Sequence, residues 1–175
     1  MPKRCAAGLC ALLLLVGLCA CTHQRDTDPA EFCRRYNAQA GDFPLVYEEF
    51  FKETAGRAGD YLCDFSFAEG HKALLTLSAD DAGAVQSLQL TCIPAGEAAY
   101  TRETFAALFA CFVRLCGVLA VAESEQAAAD LVHQAGLTAD RLHFADDGYQ
   151  SAANGYRFSL FSGEAYLSLF CVRTR

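Results

Sequence analysis

Two spacings of apolar residues divide this chain. Tyr61, Cys63, Phe65 and Phe67 alternate with Leu62, Asp64, Ser66 and Ala68. After a tight turn at Ala68-Glu69-Gly70 the alternation resumes through Ala73, Leu75 and Leu77. A second turn at Ala79-Asp80-Asp81-Ala82-Gly83 leads to Leu88, Leu90 and Cys92, and Pro94-Ala95-Gly96 closes the run. Strict alternation bounded by turn residues predicts strands, here a three-stranded antiparallel meander near 60–68, 71–79 and 85–93. Its aromatic and leucine face needs a cover, while the other face carries Asp64, Ser66, Thr76, Ser78, Gln89 and Thr91. At the end of the chain Tyr156, Phe158 and Leu160 alternate with Arg157 and Ser159, and Leu167, Leu169 and Cys171 return on the same parity. This predicts a hairpin turning at Gly163-Glu164, with Leu160 opposite Leu167 and Phe158 opposite Leu169.

Helical spacing fills the intervals. Asp28-Pro29-Ala30-Glu31 has a capping acid, a proline at the first helical position and a glutamate for a capping box. Phe32, Cys33, Tyr36 and Ala40 follow on one face, and Gly41 is the expected stop. A second short helix over 47–54 is predicted, with Val46, Phe50 and Phe51 inward, broken by Gly56 and Gly59. Thr101 caps a long helix to about residue 122, whose stripe of Phe105, Leu108, Phe109, Phe112, Leu115 and Leu119 marks it for burial. Ser124 caps a shorter helix that stops at Gly136, and 138–142 adds one further turn. No internal repeat stands out beyond hairpin-like symmetry. The predicted order is α-βββ-α-α-ββ: an α+β domain with a largely antiparallel five-stranded sheet and helices packed on one face.

The first twenty residues belong to a different pattern. Lys3 and Arg4 precede an uncharged run over 5–20, centred on Leu12-Leu13-Leu14-Leu15-Val16. A basic start and an apolar stretch of this length make a secretory signal, to be excluded from the fold. The run ends in Leu18-Cys19-Ala20-Cys21, which resembles the lipobox of bacterial lipoproteins: an aliphatic residue three before the cysteine, a small residue just before it, then the cysteine. The resemblance covers only the leader and the modified residue. It implies a diacylglyceryl thioether on Cys21 and cleavage between Ala20 and Cys21. An ordinary secretory cleavage site wants small residues at both minus three and minus one, which Leu18 fits poorly. An uncleaved anchor needs ~20 apolar residues, slightly more than this run offers. The chain then divides into a signal peptide over 1–20, a lipidated start and tether over 21–30, and one domain over 31–175. Its expected location is the cell membrane, facing outside the cytoplasm at the cell surface or in the periplasm.

Charge narrows the partners. The 175 residues carry a formal charge of −7, with 53% hydrophobic and 20% charged residues, which excludes a disordered chain. Removing Lys3 and Arg4 with the leader leaves 12 of the 14 basic residues against all 21 acidic ones, a formal side-chain charge of −9. Such a chain is no nucleic-acid binder, because phosphate needs a clustered basic surface. It is also repelled by anionic lipid, so the acyl chains are the expected membrane contact, with the domain held away from the headgroups.

Of ten cysteines, Cys5, Cys10 and Cys19 leave with the signal and Cys21 is the lipid site. Cys33, Cys63, Cys92, Cys111, Cys116 and Cys171 remain, each inside an apolar pattern where a free thiol acts as a small hydrophobe. Outside the cytoplasm six could also form three bridges. No CxxC or paired zinc-ligand spacing occurs, and His23, His71, His133 and His143 form no HExxH, so no metal and no cofactor is expected. Asp80-Asp81 and Asp146-Asp147-Gly148 read as acidic turns. GxSxG, Ser-x-x-Lys and P-loop motifs are absent, so no catalytic residue is assigned.

One aromatic feature is left over. The stretch from Asp146 to Tyr156 reads as a loop of small polar residues with Tyr149 and Tyr156. It leads into a strand whose second face holds Phe161, then Tyr166, Phe170 and Val172 across the turn. Tyrosine among small polar neighbours is common on recognition surfaces. Tyr149, Tyr156, Phe161, Tyr166 and Phe170 are therefore the candidate binding surface, unless a helix or the N-terminal segment covers that face. The expected function is a lipid-anchored binding module for a protein or small-molecule ligand. A small envelope hydrolase or thiol enzyme, and an inhibitor or immunity-type lipoprotein, are the alternatives.

Overall fold

The computed structural model describes residues 27–40, 42–52, 55–93 and 100–174. The leader, Cys21, His23, Gly41, Thr54 and Pro94-Ala95-Gly96 lie outside the described residues. The sheet has seven strands: β1 (Phe51–Lys52), β2 (Gly59–Ala68), β3 (His71–Ala79), β4 (Val85–Cys92), β5 (Asp147–Ala153), β6 (Tyr156–Gly163) and β7 (Tyr166–Arg173). Every neighbouring pair is antiparallel and the spatial order is β1-β2-β3-β4-β7-β6-β5. The meander β2-β3-β4, extended at its outer edge by β1, thus meets the meander β5-β6-β7 along β4 and β7. Both of these carry the same inward pattern, Leu88, Leu90, Cys92 in β4 and Leu167, Leu169, Cys171 in β7, and the register sets Leu90 opposite Leu169.

The five-stranded expectation is overturned by β1 and β5. The expected loop over 146–156 is a strand closed by a two-residue turn, Asn154-Gly155. Both turn residues have positive φ, 48° and 80°, the geometry that matches strand twist in a tight hairpin. Asn tolerates that region and Gly enters it freely, so this dipeptide folds β5 back onto β6. The expected helix over 47–54 is a single 3₁₀ turn, Tyr47–Glu49, followed by β1. Phe51 pairs with Leu62 at the sheet edge instead of pointing inward, and Val46 and Phe51 are exposed.

The last hairpin is also shifted from its expected register. Leu160 faces Leu169 and Phe158 faces Cys171, with Gly163 opposite Tyr166 and Glu164-Ala165 as the turn. The cause is local. A Cβ on residue 163 would lie 2.7 Å from the Tyr166 ring, so only glycine admits that ring against its backbone. Side-chain parity survives because the shift is by two residues.

Three helices cover one face: α1 (Pro29–Asn37), α2 (Arg102–Ala120) and α3 (Glu125–Gln134). Asp28 accepts from Glu31 N–H at 2.8 Å to cap α1, Thr101 and Thr104 form a reciprocal capping box on α2, and Ser124 caps α3. Alternate strand residues meet this layer. A line of Cys63, Leu75, Leu90, Leu169, Leu160 and Tyr149 crosses six strands in register. Against it α2 buries Leu108, Phe112, Leu115, Cys116 and Leu119, and α1 buries Phe32 and Tyr36, whose ring meets Phe65 edge-on at 5.7 Å. Each such side chain contributes roughly 1.5–3 kcal/mol of transfer free energy. Gly117 brings α3 close to α2, since a Cβ there would sit 2.7 Å from that of Ala128. Helix α2 is long and apolar enough to cross a bilayer, but most of it is buried inside the domain, the position of a core helix.

Helix α2 ends on Val121 in the left-handed region, at φ 53° and ψ 43°. A β-branched residue is strained there, and glycine is the usual occupant. Val121 is partly exposed, so little packing is lost by replacing it. Val121→Gly is expected to raise stability by about 0.5–1 kcal/mol, the relief of a left-handed side chain less the extra freedom glycine gives the unfolded chain, read from the midpoint of urea unfolding.

Candidate functional site

Among the described residues no helix covers the side of the sheet away from α1, α2 and α3, here called the open face. Its residues are set by strand parity, and the register arranges them in rows. One row runs Phe51, Leu62, Thr76, Gln89, Phe170, Ser159 and Gln150. The next runs Asp64, Leu74, Thr91, Ser168, Phe161 and Gly148. Hydroxyls therefore occupy the middle of the face and apolar groups flank them.

Ser168 and Ser159 are buried although no described helix covers them, because taller neighbours stand on either side. Gln89 Nε2 donates to Thr91 Oγ1 at 2.9 Å, and Thr91 Oγ1 and Ser168 Oγ share a hydrogen bond at 2.9 Å. These links satisfy polar groups partly removed from water, which would otherwise cost about 1–3 kcal/mol each. Phe161 and Phe170 meet edge-to-face at 5.8 Å beside them. Phe161 is 37% exposed, Tyr166 46%, Val172 38% and Leu74 39%, all on this face. A solvated sheet face normally carries polar groups, so apolar side chains in this number are what needs explaining.

The candidate surface read from sequence divides in two. Phe161, Tyr166 and Phe170 share the open face. Tyr149 and Tyr156 point into the helix layer. Tyr156 is buried. Tyr149 donates its hydroxyl to Ala135 O at 2.7 Å and lies under the Arg141 guanidinium at 4.3 Å. It bolts β5 to the end of α3, and Gly136 is small where the phenol arrives. Leu74, Thr91 and Gln89, which complete the open face, were not among the sequence candidates; their signal was the outward parity of the meander.

Among the described residues no His, Cys and carboxylate side chains converge beside this face. The histidines are dispersed: His133 stacks on Phe109 at 6.1 Å, His71 Nδ1 meets Glu69 O at 2.9 Å, and His143 Nε2 is 3.7 Å from Asp147. Among the described residues no three His, Cys, Asp or Glu side chains converge on a metal-sized space. Asp80 is occupied by its own turn, accepting from Ala82 N–H, Ala84 N–H and Gln86 Nε2. Two shallow cavities of about 260 and 280 Å³ lie on the helix side. The first is bordered by Asp28, Tyr47, Arg57 and Tyr61, the second by Phe43, Phe67, Cys111 and Arg114. Both fall below the usual size of a small-ligand pocket, roughly 300–1,000 Å³.

Comparison with protein-family models, with characterised proteins and with solved structures finds no match to this chain.

All six domain thiols are unbridged and buried. Burial pushes Cys33, Cys63 and Cys92 up to about 12 from an ordinary 9.0, the opposite of what a nucleophile needs. A thiol pKa raised by folding means that the native state keeps protons the unfolded chain releases. The stabilisation is complete below the ordinary thiol range and fades as pH rises through the native values. The folded protein is therefore expected to react slowly with an aromatic disulfide reagent at pH 8, to expose six domain thiols on denaturation, and to lose urea resistance steadily between about pH 9 and 12.

Proposed function

We propose that this chain is an envelope lipoprotein whose domain is a non-catalytic binding module. The leader over 1–20 is removed, acyl chains on Cys21 hold the protein in the membrane, and the domain faces outside the cytoplasm. The lipobox-like Leu18-Cys19-Ala20-Cys21 supports the anchor. Two or more acyl chains bind stably, since each buried CH₂ contributes about 0.8 kcal/mol. The binding role is carried by one observation: Phe161, Tyr166, Val172 and Leu74 are exposed around a hydrogen-bonded hydroxyl centre on a sheet face that no described helix covers.

The shape of that face favours a protein partner over a small molecule. It is broad, and it exposes Phe161 and Tyr166, a residue class enriched at protein interfaces, beside hydroxyls that can donate or accept.

Cys21→Ser is expected to leave the leader uncleaved and to move the protein out of the membrane fraction or misplace it; maturation and fractionation like the parent would overturn the anchor. Phe161→Ser combined with Leu74→Ser is expected to fold normally, since both side chains are exposed, and to weaken capture of envelope proteins at least about tenfold, the loss of one or two hot-spot side chains. An unchanged set of captured proteins would remove the open face from the function while leaving the anchor standing.

A further inference from the structure

Sheet edges differ sharply at the two ends of this molecule. On one side the edge is β1, two residues long and paired only with Tyr61 and Leu62, and beyond it β2 itself, which carries Asp60 and Asp64. Charges and a short strand are the usual protection against unwanted pairing. On the other side the edge is β5, seven residues, with no charge and no proline from 148 to 153. Its backbone pairs with β6. Among the described residues the one additional partner of its backbone is Asp147 Oδ1, which accepts from Gly148 N–H at 2.7 Å. Gly148, Gln150 and Ala152 are exposed along it.

We propose that β5 pairs antiparallel with β5 of a second copy of this chain, joining two sheets into one. Gln150 is the middle residue of the strand. A two-fold axis there sets Gln150 against its own copy, Gly148 against Ala152 and Tyr149 against Ser151. No like charges face each other in that arrangement, and the amides of the two Gln150 side chains can bond reciprocally. The net negative charge of each copy acts from further away, where salt screens it within about 8–10 Å. Because the same edge of both copies is used, this isologous pairing closes as a pair.

The path of the chain into the domain fits the same symmetry. The Thr27 carbonyl accepts from Val85 N–H at 2.9 Å and the chain leads on into α1, so the polypeptide joins the fold through the helix layer. An axis normal to the sheet puts Thr27 of each copy on the same side. Two copies held by Cys21 in one membrane could then pair without releasing either anchor; this step alone rests on the anchor reading. The pairing also sets two open faces side by side, with Phe161 and Phe170 of each copy two and three strands from the junction.

The test uses the mature acylated protein in detergent, with mass measured by sedimentation and light scattering. The parent is expected to be a dimer. Gln150→Lys and Gln150→Glu are each expected to weaken association about tenfold or more, because like charges then meet at the axis, with unchanged circular dichroism and thermal midpoint. Mixing the two variants is expected to restore the dimer. A monomeric parent, a dimer insensitive to either substitution, or variants that fail to re-pair when mixed would each overturn the proposal. None of these results bears on Cys21, whose acylation is read independently from the intact mass of the same samples.

Discussion

The pairing of β4 with β7 is the joint on which this fold depends. It unites residues 87–92 with 167–172, so the two halves of the chain acquire a common sheet only when this ladder forms. Its inward residues, Leu88, Leu90 and Cys92 against Cys171, Leu169 and Leu167, are essentially inaccessible to water and form the floor beneath α2. Helix α2 cannot bury its stripe against one meander alone: Cys111 reaches back to Phe67 O at 3.9 Å, while Leu119 O at the other end accepts from Arg173 at 3.2 Å. One helix thereby clamps both halves across their seam. Contacts so distant in sequence carry a loop-closure cost that precedes their reward, so this seam is a late and slow step by the ordinary relation between topology and rate.

The same seam produces the open face. Strand parity forces any residue between two inward leucines to point the other way, so Gln89 and Thr91 of β4 stand beside Ser168 and Phe170 of β7. The helix layer cannot reach them. Their hydrogen bonds and the Phe161–Phe170 contact organise this side without a core. The inward face is determined by burial, which tolerates few substitutions in size. The outward face is under no such constraint, and its apolar content is therefore more informative about function than anything in the core.

How legible this was in the sequence depends on the strength of each local signal. The meander of β2, β3 and β4 alternates strongly, and α1, α2 and α3 each begin at a capping residue and show helical spacing; these elements lie where the pattern puts them. Strand β5 does not alternate strongly, because Ser151, Ala152 and Ala153 are small and neither face reads as apolar. Its one clear mark was Asn154-Gly155, a hairpin dipeptide with a definite backbone requirement, and that mark outweighs the polar character of the stretch. Strand β1 is too short for any period to show. The register of β6 with β7 was hidden for another reason: parity fixes faces but not pairing, and the choice lies in Tyr166 closing over Gly163. Of the candidate surface, Phe161, Tyr166 and Phe170 were separable from Tyr149 and Tyr156 only once β5 was recognised as a strand, since its inward parity sends Tyr149 to Ala135.

A tether and an open face constrain one another. Cys21 and Thr27 are six residues apart, a span of at most about 20 Å when extended, so the proposed anchor would set an upper limit of that size on how far repulsion can hold the domain from the headgroups. Its acidic surface is repelled by anionic lipid, which opposes lying flat by contact but not by anchor. Thr27 meets Val85 and leads into α1, so under the proposed anchor a short tether would draw the helix layer toward the bilayer and turn the opposite side outward. The face so presented is the one bearing Phe161, Tyr166 and Val172. An apolar patch on the other side would face lipid, and the same residues would then serve as a second membrane contact. Under the proposed anchor they would look away from the membrane, and a soluble or neighbouring envelope protein is the partner that arrangement would fit.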